Sequence, residues 1–475
     1  MQLLKCRAVP RLRALIQSRR HVVSGKLSPK ALPLLILGAL PAVVCAADLA
    51  GHSLELKSRW VQFDVDQVST TNDFKQSAVG LQLEYKSPYF NDFVGVEISG
   101  YQVQKTGESG VPKSELLPFQ SGSTTQIANN WNAIGKAIVK LKHADLFEAK
   151  IGRQAHNSLL LKSTYSRAVE DTFHGVSASL TPTEGVRLYG AIYDTWLPRN
   201  GNKFVKIGTE QSPVSGQVSR VIDRLAIYGG SFVRGPYSVE AESLESKDYL
   251  RKYALVGSYL MPLANKDQAK FSVGTSTSSN AGPLFTCDAE KELDKPASGA
   301  CQNNGRGVYV SGEWKTGYLT LTGAVAKFRG LWIEDNFAGS NPARAGSLIQ
   351  DHGTNFFPTG ATSGNDMTND GELARMIRVG YNWNTMVPGL NTTLGYKLGT
   401  GARNNVDPQL GSAKEKETEV DIRYAIPMVK GLNARYNYLR YNADVTGTIN
   451  AIGQGGSKNF RRDHRLYLDY VHRFF

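Results

Sequence analysis

The sequence predicts an all-β chain folded as a transmembrane antiparallel β-barrel, and three observations predict it. Runs of about ten residues alternate apolar with polar side chains and are bounded by Gly, Asn, Asp, Ser or Pro, the period-two pattern of strands. Beyond Ala47 there is no stretch of 18 uncharged apolar residues, so no helix is expected to cross a bilayer. The connections between runs alternate short and long, as in barrels with tight periplasmic turns and long outer loops. Residues 48–475 carry this pattern without a break and read as one domain; the chain's 47 glycines and 21 tyrosines suit many turns and aromatic girdles.

The first 47 residues differ from the rest. Lys5, Arg7, Arg11, Arg13, Arg19, Arg20, Lys26 and Lys30 precede an apolar run, Ala31 to Ala47, which ends in the small residues Cys45, Ala46 and Ala47. A charged segment, an apolar one and then a small-residue cut site form a secretory signal peptide. Residues 1–47 are therefore expected to be removed near Asp48, with export through the Sec route. As a membrane anchor the run is short, and Pro33 and Pro41 interrupt it. Its eight basic residues account for eight of the formal charge of +13, leaving about +5 on the remainder. So mild an excess offers no concentrated basic face for nucleic acid. Cys287 and Cys301 remain after cleavage, and in an oxidising compartment such a pair suggests a disulfide.

Individual strands can be read with their faces. In Ser53 to Phe63, Leu54, Leu56 and Trp60 oppose Glu55, Lys57 and Arg59. In Glu372 to Tyr381, Ile377, Val379 and Tyr381 oppose Met376, Arg378 and Gly380. Leu394, Tyr396 and Leu398 oppose Thr393, Gly395 and Lys397 in the run from Asn391, and Val420, Ile422 and Tyr424 oppose Glu419, Asp421 and Arg423 in the run to Ala425. The last run, Arg465 to Phe474, sets Leu466, Leu468 and Tyr470 against Arg465, Tyr467 and Asp469.

Periodicity alone cannot say which face is inside, because a soluble sandwich shows the same alternation with the charged face outward. The export signal, the aromatics at strand ends and the aromatic strand closing at Phe475 favour the membrane barrel, in contact with outer-membrane lipid and lipopolysaccharide. That last strand is expected to be read by the barrel assembly machinery. Pro388-Gly389 and Lys430-Gly431 read as tight turns. Lys105–Asn130, Ser279–Asn304, Asn336–Asp370 and Ala443–Asn459 read as long outer loops, a size that counts against a compact soluble domain.

Catalytic spacing is missing. There is no histidine pair one helical turn apart, no Cys-x-x-Cys and no Gly-x-Ser-x-Gly, so neither metal nor cofactor is expected. His143, His156 and His174 are scattered without a shared face.

Four stretches carry a resemblance to a known family. They are Ile151-Gly152-Arg153-Gln154 with Leu159-Leu160-Leu161, Ser166-Arg167, Thr172-Phe173 and Gly175; Arg378 and Tyr381 before Val387-Pro388-Gly389-Leu390, with Tyr396 and Gly399 after it; Glu419, Asp421 and Tyr424 before Lys430-Gly431-Leu432 and Arg435; and Arg465-Leu466-Tyr467-Leu468-Asp469-Tyr470. In these the chain resembles the OprD-like outer-membrane porins of Gram-negative bacteria, substrate-specific channels for small carboxylates. The resemblance implies a barrel of about 18 strands, monomeric or loosely trimeric, with its third loop, here Ser158 to Thr172, folded inward. It implies passive uptake of carboxylate-bearing solutes, basic amino acids or aromatic acids, along a ladder of basic side chains. Arg59, Arg378, Lys397, Arg423, Arg435 and Arg465 match wall positions or lie on the charged face, Lys136 and Lys140 extend it, and Arg167 is the candidate for the constriction.

The sequence departs from the family at Tyr165, where the loop usually carries Asp, at Ser158 and Glu170, which replace prolines, and at Asn437, where a second wall arginine is frequent. An outer-membrane hydrolase and a less specific oligosaccharide porin are the alternatives. A plugged energy-coupled receptor would need an N-terminal domain before the strand at Leu54.

Overall fold

The computed structural model describes residues 50–67, 73–123, 125–209, 220–264, 267–285, 304–339, 349–363, 366–403, 412–443 and 460–475. The expected signal peptide and the pair Cys287 and Cys301 lie outside the described residues.

Strands fill most of what is described. β1 (Ser53–Gln67), β2 (Phe74–Lys86), β3 (Val94–Gly110), β4 (Asn130–His143), β5 (Phe147–Gln154), β6 (Thr172–Thr183) and β7 (Val186–Leu197) form the first wall. A short β8 (Val205–Gly208) is followed by β9 (Leu225–Arg234), β10 (Tyr237–Ser246), β11 (Leu250–Pro262), β12 (Gln268–Asn280), β13 (Asn304–Thr316) and β14 (Leu319–Arg329). Then come the short β15 (Asp335–Gly339) and β16 (Ile349–Gly353), and the wall resumes with β17 (Leu373–Asn382), β18 (Leu390–Arg403), β19 (Ser412–Ala425), β20 (Leu432–Ala443) and β21 (Phe460–Arg473).

Eighteen of these pair antiparallel with their neighbours in one ring, with β7 joined directly to β9 and β14 to β17. β21 closes the ring on β1, with Trp60 opposite Leu468. Closure leaves no edge, which is what lets strands stand in lipid with every backbone group paired. β8, β15 and β16 form a small sheet that branches from the wall where β8 pairs with β7, with Ala338 facing Gly208 and Phe337 facing His352.

The two turns picked out by sequence are tight for a steric reason. Gly389 and Gly431 have positive φ (87° and 88°), and a Cβ would stand 2.1 Å from the Ala425 carbonyl oxygen or 2.3 Å from that of Val471. The long connections differ from expectation in two places. β3 continues to Gly110, shortening the second outer loop to 111–129, and the stretch from Asn336 to Asp370 contains most of β15 and all of β16.

Burial settles the faces. Ile377, Leu394, Val310 and Leu468 are exposed, whereas Val61, Phe63 and Val65 on the opposite face of β1 are buried. The apolar face therefore looks outward to lipid and the charged face inward. Two apolar clusters occupy the interior nonetheless. One gathers Leu160, Trp196, Ile207, Trp332, Phe337 and Phe357 from the third, fourth and seventh outer loops and the wall they cover; the other gathers Phe63, Tyr101, Leu116, Leu117, Ala168 and Val169. The outer half of the lumen is thus packed like a soluble core.

The face assignment can be tested on one strand. Leu394→Arg on the lipid face should destabilise the barrel by about 2–4 kcal/mol, read from urea unfolding in lipid vesicles, while the neighbouring lumen-side Thr393→Arg should cost far less. Equal losses at both positions would overturn the assignment.

Candidate solute pathway through the barrel

The third outer loop, residues 155–171 between β5 and β6, crosses the lumen. At one side it hangs on Glu242 of β10, whose carboxylate accepts from the Leu159 N–H (3.0 Å), the Leu160 N–H (2.9 Å) and the Ser158 hydroxyl (2.9 Å). Tyr189 of β7 donates to the same carboxylate at 2.7 Å. On the far side of the ring, Arg59 of β1 donates to the carbonyl oxygens of Tyr165 and Arg167, and Tyr467 of β21 donates to that of Ser166. Glu170 pairs with Lys136 of β4 at 2.5 Å. β10 lies half a ring away from β1 and β21, so the loop spans the channel. Gly80 of β2 permits its closest approach, since a Cβ there would stand 2.1 Å from the Ala168 carbonyl oxygen.

Tyr165, at the position where an acid was expected, has a physical role in this arrangement. The Arg59 guanidinium lies 3.6 Å from its ring centroid, a cation–π contact in a water-poor site. Asp469 of β21 supplies the negative charge instead, taking two hydrogen bonds from Arg59 at 2.5 and 2.8 Å.

Other loops hold the third one in place. Arg167 pairs with Glu115 of the second outer loop at 2.6 Å, and Arg199 of the fourth donates to the Thr164 and Ser166 hydroxyls. In the seventh, His352 Nε2 stands 3.1 Å from Asp171, both buried, while its ring stacks on Phe337 with centroids 5.1 Å apart. His156 Nδ1 lies 2.8 Å from the Tyr193 hydroxyl.

Burial and charge tune these groups. Burial, with Arg187, His352 and Lys150 nearby, pushes the His156 imidazole down to about 4. Burial would raise the Glu115 carboxyl, but Arg167, Arg461 and Arg465 outweigh it and hold the group below its ordinary value. Burial and the Arg167 charge bring Arg199 down to about 10.

The seven basic candidates fall into two groups. Arg59, Arg167, Lys397 and Arg465 are tied into packing. Lys397 is 1 % exposed and bonded to Glu417 (2.8 Å) and Thr362 (3.0 Å) beneath the seventh loop. Arg465 shares Asp463 with Arg461 and, like Arg167, lies against the Phe63 ring. Arg378, Arg423 and Arg435 are more open. They line a cavity of about 620 Å³ in the half nearer the short turns, together with Lys315, Glu313, Glu419 and Asp421. Four basic side chains there face three acidic ones. Arg378 pairs with Glu419 at 3.0 Å, and Arg423 (3.1 Å) and Arg435 (2.5 Å) share Asp421. A second cavity, about 450 Å³, lies beside β5, β6 and β7 and is lined by Lys150, Lys162, Arg187, Glu148 and Glu170. Lys136 sits among Glu84, Glu97 and Glu170, and Lys140 donates to the Ser87 carbonyl oxygen.

Sequence reasoning did not find Glu242, Asp171 or His352. Asp171 and His352 stand in loop segments with no period to read, and Glu242, though on β10, is marked only by the loop N–H groups that reach it. The acid beside the open arginines did leave a signal, because Asp421 and Arg423 are two apart on one strand and Arg435 faces Arg423 across the pair.

Removing the acceptor in Glu242→Ala would leave two loop N–H groups without their partner, a loss of about 1–3 kcal/mol. The expected result is a larger, noisier single-channel current with unchanged heat-dependent gel mobility; an unaltered current would show that the loop does not depend on this anchor. The loop should also loosen in acid. The depressed His156 pKa means the packed loop holds fewer protons than the released one, so its contribution is complete above about pH 6.5 and is lost as pH falls towards 4. Current fluctuations should grow across that window, and the growth should be smaller in His156→Gln.

A sequence profile described as outer membrane porin, OprD family, matches residues 48–452. No curated protein sequence matches the chain. Among solved structures, Pseudomonas aeruginosa OccK9 (OpdG) is similar with a TM-score of 0.72 at 18% identity, covering 90% of this chain and 99% of that one. Acinetobacter baumannii OccAB3 gives 0.72 at 19% identity, over 90% of this chain and 100% of that one. Pseudomonas aeruginosa OpdK, solved with vanillate, gives 0.68 at 19% identity, over 90% and 99%.

Proposed function

We propose, given that this chain belongs to the OprD family of outer membrane porins, that it passes small carboxylate-bearing solutes passively across the Gram-negative outer membrane, with aromatic acids as the favoured class. The observation that carries the reading is Asp421 bracketed by Arg423 and Arg435 in the cavity near the short turns. One carboxylate shared by two guanidinium groups leaves a positive charge for a permeant carboxylate. The planar fork of arginine can meet that carboxylate with two hydrogen bonds. Asp421 competes for the same donors, so the solute is held and then released. A channel needs that balance, since a site that binds too well stops conduction.

The remaining candidates serve this reading indirectly. Arg59 positions the third loop through the Tyr165 and Arg167 carbonyls, Arg167 ties that loop to Glu115 of the second, Lys397 positions the seventh through Glu417, and Arg465 is held by Asp463 against Phe63 in the wall. They shape the constriction rather than offering free charge. Aromatic acids are favoured over basic amino acids because Tyr165 stands where the loop would carry Asp, and because Glu115 and Glu170 are each occupied by a basic partner and Asp171 is buried beside His352. The solved relative carrying vanillate, an aromatic carboxylate, supports the same class. An interior packed by four loops speaks against a wide oligosaccharide porin. The reading involves passage only, with no chemical step and no cofactor.

Single-channel recording tests it with benzoate, arginine and a neutral sugar added in turn. Benzoate should interrupt the current, and the block should weaken about tenfold or more in Arg423→Gln/Arg435→Gln, which removes two charge-assisted donors. Asp421→Asn should move the other way and strengthen the block. Block by arginine alone would transfer the reading to basic amino acids, and absence of conductance would refute the channel.

A further inference from the structure

The outer surface of the wall carries charge where lipid would be expected. On β13, β14 and β17–β21, basic side chains stand on the outward face at the end nearer the long loops. Lys327, Arg329, Arg375, Lys416, Arg440 and Arg462 are all exposed there. Each lies on the long-loop side of its strand's outward apolar run: Arg375 precedes exposed Ile377 and Val379, Lys416 precedes Val420 and Ile422, and Arg462 precedes exposed Leu466 and Leu468. This is the height at which the hydrocarbon band gives way to headgroups.

The strand register makes the belt dense. Arg440 is directly opposite Arg462, and Arg306 directly opposite Arg329. Like charges in such positions repel across the strand pair unless an anion lies between them. Lys416 is a diagonal neighbour of Arg440, since the residue opposite Arg440 is Thr418, and Arg375 follows two strands further round. Among the described residues the acids nearest this arc are Asp66, against Arg462, Asp64, which pairs with Lys75 of β2, and Asp370, 2.9 Å from Arg403. The rest of the wall is different. Several charges there stand in matched pairs, Arg251 with Glu245 at 3.0 Å, Lys247 with Asp223 at 3.0 Å and Lys206 with Asp194 at 3.6 Å, while Arg153 packs on the Phe204 ring, so the outward basic residues do not gather into a belt.

We propose that the outward basic belt of β13, β14 and β17–β21 is a docking face for the phosphorylated saccharide headgroups of outer-leaflet lipid A. The apolar run below the belt receives acyl chains and the belt above receives phosphates, so one amphiphile satisfies both surfaces. Phosphate bridging explains how the directly opposed Arg306 and Arg329 are tolerated, and beside Arg462, which Asp66 holds, it gives Arg440 an anionic partner. The belt faces away from the lumen, and the inference rests on the membrane location of the family and not on which solute the channel carries.

Native mass spectrometry of the detergent-solubilised full barrel tests the proposal, with bisphosphorylated lipid A, dephosphorylated lipid A and phosphatidylglycerol as separate probes. The bisphosphorylated form should be retained at concentrations at least about tenfold lower than the other two. That preference should disappear in Arg375→Gln/Lys416→Gln/Arg440→Gln and persist in Arg153→Gln/Lys206→Gln/Arg251→Gln on the other side. Equal retention of the dephosphorylated form or of phosphatidylglycerol, or full retention by the belt variant, overturns it. Single-channel current confirms that both variants are folded. Because benzoate block is read separately, loss of the lipid preference and loss of the solute reading remain distinct results.

Discussion

The structure depends on one constraint: in lipid, every backbone donor and acceptor must find its partner within the sheet. The ring closed by β21 on β1 meets it, and closure creates an interior. Period two then sends alternate side chains to two different solvents. Apolar residues such as Leu394 and Val310 go to lipid, and charged ones such as Arg378 and Asp421 go inward. The separation of the two faces is a consequence of the ladder and not an additional design.

A charged lumen would be an open tube if nothing filled it. The loops supply the filling by two kinds of contact. Apolar residues of the second, third, fourth and seventh loops pack against lumen-facing wall residues such as Phe63 and Trp196, and that burial provides most of the attachment. Specific polar ties fix where the loops stop. Glu242 is the clearest, because its listeners are backbone N–H groups, whose positions cannot change without moving the loop itself. Arg59 and Lys397, expected along the wall, and Arg167, expected at the constriction, are absorbed into this second task.

That division explains what the sequence could reveal. Strands Ser53–Gln67 and Leu373–Asn382 were legible because alternation is a local property, readable without knowing any partner. The assignment of Arg59 and Arg465 to the inner face followed from the same alternation. Their pairing with Asp469 and Asp463 did not, because a face says where a side chain points and not what meets it. The strands inside Asn336–Asp370 escaped for a related reason: Phe337 and His352 are buried against Phe173 and Trp196 of the wall, and only the folded barrel brings those rings together. The departure at Tyr165 was visible, but its meaning required Asp469, more than three hundred residues away.

Selectivity then becomes a matter of which arginines have charge to spare. An arginine matched one to one with a carboxylate, as Arg59 is with Asp469, presents almost no net field to a passing anion. An arginine that shares its carboxylate keeps part of its field, and in the cavity near the short turns that condition is met at Asp421. Exposure agrees: the Arg423 side chain is 63% exposed, whereas that of Arg59 is 11% exposed. A ladder counted by its basic residues would therefore overstate the attraction, and the useful count is of carboxylates with two guanidinium neighbours within reach of water. At Asp463 the same sharing occurs, but Arg465 is buried against Phe63, out of reach of water. Sharing supplies the charge and exposure makes it usable, and Arg423 and Arg435, which have both, are for that reason the side chains on which the proposed passage of carboxylates rests.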